Sequence, residues 1–336
     1  MRTGPELIKA SAPYAIEDRA KTWRLFAIAV AVYGAFEAVA IFAPWWPLRV
    51  LGGVMAALST VRLFIFYHDY LHGALWRKSF AGKLVMWPVG LLTLNPPAVW
   101  RETHDYHHKN NAKILGAAIG SYPILTVEMY RTLSPNMRRG YLAVRHPLNM
   151  LLGHLTVFAL GMCLRPFLRD PRTHWGGPLA LLLHAAAFVA IGFGLGWGHA
   201  LTGVLLPGWL TSTAGAYLFY AQHNFPDCEL RGRKNWDYTA AALKSSSMMD
   251  MSPLMHWFTG NIGFHHVHHL NHNVPFYRLP EAMAAIPELQ SPGRTSLRLG
   301  DIRAALRLKL WDNERGRLIG LDEFVDAPAT AEAEPA

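Results

Sequence analysis

Two cysteines in 336 residues, Cys163 and Cys228, are too few for a disulfide framework or a thiolate metal site. Charge is scarce as well. Asp, Glu, Lys and Arg make up 16% of the chain, against roughly a quarter in soluble domains. The deficit lies in long uncharged runs, with 51% of residues hydrophobic and a mean hydropathy of +0.13. That is the composition of a membrane protein. The net charge of +9 comes without a basic stripe of interleaved aromatics, so nucleic acid is not an expected partner. Lys and Arg crowd the segments between apolar runs instead, as cytoplasmic loops do. Residues 1–20 are polar and charged, with no cleavable signal peptide, so insertion is expected to rely on internal spans.

Four runs are long enough to cross ~30 Å of hydrocarbon: about 25–43, 46–67, 178–200 and 202–222. The turns between them, 43–48 and 198–207, contain no Lys or Arg, which marks them as external. Residues 1–24 form a cytoplasmic amino-terminal segment, 25–325 the membrane domain, and 326–336 a tail expected to be disordered. Glu37 interrupts the first span and suits either a functional or a packing role. Arg49 and Arg62 fall near the ends of the second, where they are expected to reach the headgroups. Glycines 192, 194, 196 and 198 are spaced for close helix approach in lipid. Two further apolar stretches, 84–100 and 147–164, are read as helices in the interface or dipping back out. A third crossing there would put the histidine clusters on opposite faces.

Histidine is the residue the chain has in excess, with 17 copies. His68 and His72 stand at i, i+4; His104, His107 and His108 at i, i+3, i+4; His265, His268 and His269 repeat that spacing. On helices, each set projects from one face. His223 falls at the cytoplasmic mouth of the last span. Packing has no use for so many converging imidazoles, whereas metal ligation does. Imidazole suits zinc, copper, iron or nickel rather than calcium or magnesium. A zinc site takes about four protein ligands, so nine imidazoles imply two metals. Both the zinc-protease pattern and the Glu-x-x-His pairs of carboxylate di-iron bundles are absent. An all-histidine dinuclear site remains, with iron the natural redox metal. His266 is out of register, a residue beside the ligands or facing solvent. Asp69 and Asp105 are candidates for orienting ligand imidazoles. Asn261, four before His265 on an assumed continuous helix, is a candidate to hold a metal-bound water.

These boxes, His68-x3-His72, His104-x2-His107-His108 and His265-x2-His268-His269, with His223 as a further histidine, resemble the three histidine boxes of membrane fatty acid desaturases. Gly260-Asn261-Ile262-Gly263-Phe264 before the third box and Pro96-Pro97-Ala98-Val99-Trp100-Arg101 before the second are similar to bacterial acyl-lipid members. The resemblance covers most of residues 60–280. It implies an all-α, four-span protein with a cytoplasmic di-iron cap and interfacial helices. It also implies an oxidoreductase in which two iron ions, dioxygen and two electrons remove two hydrogens from an acyl chain. The three-residue gap of the first box resembles acyl-lipid rather than acyl-coenzyme A enzymes. No fused electron-transfer module is seen, so a separate ferredoxin or cytochrome is the expected donor. A bacterial inner membrane is the expected location. A hydroxylase on the same scaffold is the alternative; a metal transporter fits less well, since the spans lack a polar path.

Overall fold

The structure is a computed structural model that describes residues 2, 4–114 and 119–326. Its first long helix, Arg19–Phe42, begins earlier than hydropathy suggests. The Asp18 carboxylate accepts the Lys21 N–H at 2.9 Å and caps it. After a short turn, Pro47 opens helix Trp46–His72, which ends on Gly73 at φ 77°, a left-handed cap that favours glycine. This second helix is the axis of the molecule. Arg19–Phe42 packs along one side and Leu206–Ala221 along another. Close approach is made by glycines other than those singled out above. A Cβ on Gly52 would stand 2.6 Å from the Ala40 nitrogen, and one on Gly53 2.6 Å from the Thr202 carbonyl. Gly192 instead lies under the ring of Trp197, and Gly194 meets nothing.

Among the described residues, three helices are long and apolar enough to cross a membrane: Arg19–Phe42, Trp46–His72 and Gly176–Leu195. The expected fourth span, 202–222, is helical but not one regular helix. Trp197–Ala200 leads into a π-helical stretch, Leu201–Leu205, and then into Leu206–Ala221. The stretch 147–164 is also helical, through Pro147–Leu151 and a π-helix, His154–Leu164. It packs on Gly176–Leu195 and Leu206–Ala221. Residues 84–100 belong to two helices, Phe80–Leu92 and Pro97–Asn110, broken where Leu94 takes φ 54° and Pro96-Pro97 follow.

The fold is mostly helical, but the all-α expectation needs one correction, because the cap holds two small sheets. Leu125–Thr126 pairs in parallel with Leu308–Asp312, which pairs antiparallel with Arg317–Gly320. Met248–Asp250 pairs in parallel with Arg294–Ser296. Strands of two to five residues give too short an alternation to read from sequence. They matter because the Met249 N–H donates to the Gly263 carbonyl at 2.8 Å and so pins the start of the third box. Arg62 is also unlike its expectation. It is 4% exposed, with its guanidinium 4.1 Å over the Trp257 ring and donating to the Trp257 carbonyl, so it clamps the cap onto the bundle instead of reaching headgroups. Of the expected disordered tail, residues from 327 lie outside the described part. Asp326 is held by Arg138 at 2.8 Å.

Candidate metal centre

Three helix ends and one loop converge in the cap. Trp46–His72 brings His68 and His72 in its last two turns, Pro97–Asn110 brings His104, His107 and His108, and His265–Leu270 brings His265, His268 and His269. His223 follows the C-terminus of Leu206–Ala221, its Nδ1 placed 2.9 Å from the Ser245 carbonyl. All nine imidazoles come together, and they sort into two groups. His68, His72, His104, His108 and His268 form one; His107, His223, His265 and His269 form the other, with ligating atoms in each within 4.8 Å of one another. Helical geometry explains the split. Residues four apart stay together (His104 with His108, His265 with His269), while the histidine at the odd position, His107 or His268, turns to the other group. Each of these two helices therefore feeds both groups.

The nitrogens are arranged for a cation rather than for hydrogen bonds. In the group of four, Nε2 atoms form a closed ring: His107 to His223 at 3.1 Å, His223 to His265 at 2.9 Å, His265 to His269 at 3.2 Å and His269 to His107 at 3.3 Å. An imidazole nitrogen carries either one proton or one lone pair, so it cannot bond two others of its kind in a ring. Imidazoles bind zinc at ~2.1 Å, and comparable bonds to a shared ion leave neighbouring nitrogens about 3 Å apart. The group of five has the same spacing: His68 to His104 at 3.2 Å, His104 to His108 and His108 to His268 at 3.1 Å.

Burial prepares the rings. Desolvation pushes His104, His107, His108, His265, His268 and His269 well below the ordinary histidine range, with neighbouring imidazoles adding to it. Burial likewise takes His223 down to about 4. Each is therefore neutral at pH 7, the form that binds metal. The donor set, nitrogen only and largely buried, fits a first-row transition metal and not calcium or magnesium.

The neighbouring candidates fare differently. Asp69 is buried, with Oδ1 3.0 Å from His68 Nδ1 and Oδ2 accepting the Phe276 N–H at 2.7 Å, so it orients that ring. Asp105 is exposed and, among the described residues, makes no hydrogen bond to a box imidazole. Asn261 does not share a helical face with His265, because the helix starts only at His265. Asn261 sits in a turn at φ 54° and donates to the Phe276 carbonyl at 3.2 Å. His266 is not solvent-facing: it is fully buried, its Nε2 3.0 Å from the Leu289 carbonyl.

Three residues of the site escaped sequence reasoning. Trp100 lies over His104 at 4.2 Å and walls the group of five, and Phe219 packs on His107 at 4.9 Å. His272 packs on His72 at 4.8 Å and on His108 at 5.3 Å, a tenth ring outside both groups. Its place four residues after His268 was the available signal. Among the described residues, the Nδ1 atoms of His107, His108, His265 and His268 have no hydrogen-bond partner, so packing orients those rings.

Comparison with known proteins agrees with this geometry. Residues 44–298 match the model of the fatty acid desaturase family. The chain belongs to that family. A fatty acid desaturase of Bacillus subtilis (strain 168) is 31% identical over 282 residues, covering 82% of this chain and 78% of the relative. The protein is accordingly an oxidoreductase. Its desaturase match takes in all three histidine boxes and His223, and its apolar helices are compatible with membrane insertion.

Proposed function

We propose that this desaturase introduces a double bond into a lipid-linked acyl chain at two irons held by the nine imidazoles. His68, His72, His104, His108 and His268 would hold one ion, and His107, His223, His265 and His269 the other. The observation that carries this reading is the pair of largely buried nitrogen groups with 2.9–3.3 Å spacing. Bound iron supplies the redox chemistry that activates dioxygen: an acyl CH2–CH2, O2, two electrons and two protons become CH=CH and two waters.

The chain's own contribution is positional. Asp69 fixes the ring of His68, and the His223 Nδ1–H donates to the Ser245 carbonyl, leaving Nε2 free to ligate. Trp100 and Phe219 give the rings apolar walls that exclude water and leave an alkyl chain as the compatible neighbour. Four crossings, the fourth made by the run from Trp197 to Ala221, place both termini and the histidine cap on one side, the cytoplasmic side of a bacterial inner membrane. The electrons come from a separate ferredoxin or cytochrome.

Metal analysis and lipid analysis test this together. Purified protein is expected to hold close to two irons per chain, and a host expressing it to gain a new monounsaturated acyl species in its lipids. One zinc and no iron would sink the dinuclear reading. Two irons with only hydroxylated chains would assign oxygen insertion instead.

A further inference from the structure

We propose that an acidic one-electron carrier protein docks on a crevice beside the segment that carries His272, at the membrane-distal end of the cap. This rests on the desaturase reading above and adds where the electrons enter. The crevice has a volume of about 650 Å³. It opens between helix Gly4–Ser11 and the chain leaving the first and third boxes, with Gly73, Ala74, Asn271 and Asn273 among its lining. His272 stands between the last two, half-buried, its ring against His72 and His108 of the group of five. Its two neighbours in sequence line the crevice, while its own ring touches two box rings.

Three observations identify the occupant. The first is charge. Lys9 and Arg77 line the crevice, Lys109 and Asp105 both act on His272 from the second-box helix, and the three cations are exposed with no ion pair among the described residues. Of the nearby acids, Glu17 is taken up by the Trp76 N–H and the Arg19 guanidinium, each at 3.0 Å. Glu6, Glu102 and Asp105 are the other acids on the helices that carry Lys9 and Lys109, and Glu102 lies 3.6 Å from His174. Three free cations around a route to the metal groups fit a negatively charged protein surface.

The second observation is position. Helix Trp46–His72 has 27 residues, a length of ~40 Å, and its far end is marked by Trp45 and Trp46, 72% and 64% exposed. With hydrocarbon ~30 Å thick, its last turns stand clear of the bilayer. The crevice beyond His72 therefore faces water, where a soluble protein can reach it.

The third is the contrast with a smaller crevice, about 190 Å³, which reaches His223. Its only charged lining residue, Lys113, is spent on the Trp236 ring at 3.9 Å. That opening offers a docking protein nothing to be steered by. The electron balance is simple: each docking oxidises the carrier by one electron and reduces the centre by one, and two dockings supply one double bond.

The test uses a reduced [2Fe–2S] ferredoxin of acidic surface and the detergent-solubilised protein, comparing wild type with the triple variant Lys9→Glu, Arg77→Glu, Lys109→Glu. Binding of the oxidised ferredoxin needs no iron in the desaturase. Its affinity is expected to fall at least tenfold in the variant, and between 50 and 200 mM salt (about those values) in the wild type only. Anaerobic reduction of the iron-loaded protein by ferredoxin should slow by a similar factor, while reduction by methyl viologen, a small cation, stays within about twofold.

Equal ferredoxin affinity in the two proteins overturns the docking site. So does loss of binding to a short-chain anionic phospholipid with ferredoxin binding unchanged, since the crevice would then be a headgroup site. Failure of the desaturase reading looks different: neither reductant would lead to a double bond on adding oxygen, whatever the binding result.

Discussion

The membrane helices and the histidine cap are sorted by opposite rules. On Gly176–Leu195 the large apolar side chains point away from the protein, with Leu182 and Phe193 65% and 80% exposed. In the cap the innermost side chains are polar, and His265, His266, His268 and His269 are each at most 2% exposed. Lipid reconciles the two. The apolar surface of the bundle meets a solvent that welcomes it, and the hydrophobic effect provides little reason to bury it. The cap meets water and must fold around whatever it hides. It hides polar groups at a cost that only a partner removes.

Arg145 illustrates how far this goes. It is fully buried, pairs with no carboxylate among the described residues, and donates to the Pro123 carbonyl, the Tyr220 hydroxyl and Asn224 Oδ1. Its hydrogen bonds join the C-terminal sheet to the end of the helix that His223 follows.

The largest effect is therefore expected in the cap, from losing one imidazole. His268→Ala removes the ring whose Nε2 meets His108 at 3.1 Å, and no other ring of the group of five is in register to replace it. Desaturation should fall to background, and iron should drop from near two to near one per chain. Retention of both irons with normal product would show that His268 is not a ligand.

How much of this the sequence carried depends on range. Histidines three and four apart are legible because a single helix sets their geometry, and the apolar runs are legible because bilayer thickness sets their length. Which histidines share an ion was not legible. It depends on how three helix ends and a loop meet, and spacing alone suggested that each set acts as one face, whereas His107 and His268 cross to the other group. Asn261 was misplaced for a related reason. The polar-apolar pattern runs on through Gly260–Phe264, but Gly260 and Asn261 at φ 52° and 54° break the helix there. His272 was passed over because its ring closes on His72 and His108, contacts from other segments of the chain.

A middle-sized effect separates the two regions by solvent. Leu183 on Gly176–Leu195 is 48% exposed and Leu299 on the cap helix Leu299–Arg307 is 71% exposed, so a soluble-protein view would rank them alike. Arginine at Leu183 is expected to cost about 2.5–3.5 kcal/mol of membrane insertion. Arginine at Leu299 should stay within about 0.5 kcal/mol, as ordinary surface changes do. The inserted fraction of each variant, read by protease protection, checks the pair. Equal tolerance would mean that Gly176–Leu195 does not face lipid.

The smallest effect isolates a buried histidine that ligates nothing in this scheme. His266 is fully buried beside the boxes, and burial takes its pKa from 6.5 down to about 4, partly offset by its contacts with the Leu289 and Ser247 backbone. The unfolded chain therefore takes up the proton first as pH falls. Stability from this group is complete above pH 6.5 and is lost progressively as pH falls toward about 4. The slope is about 1.4 kcal/mol per pH unit at most. His266→Gln cannot titrate, yet its amide can still donate to the Leu289 carbonyl. Metal-free wild-type protein and variant, unfolded in detergent at a series of pH values, should differ in slope below pH 6.5 and run parallel above it. With iron supplied, the variant should keep the metal, in contrast to His265→Ala, which opens the ring of four. Equal slopes would show that His266 does not keep its neutral, buried state. Loss of iron from His266→Gln would show that the third box is held by more than the alternation of its helix.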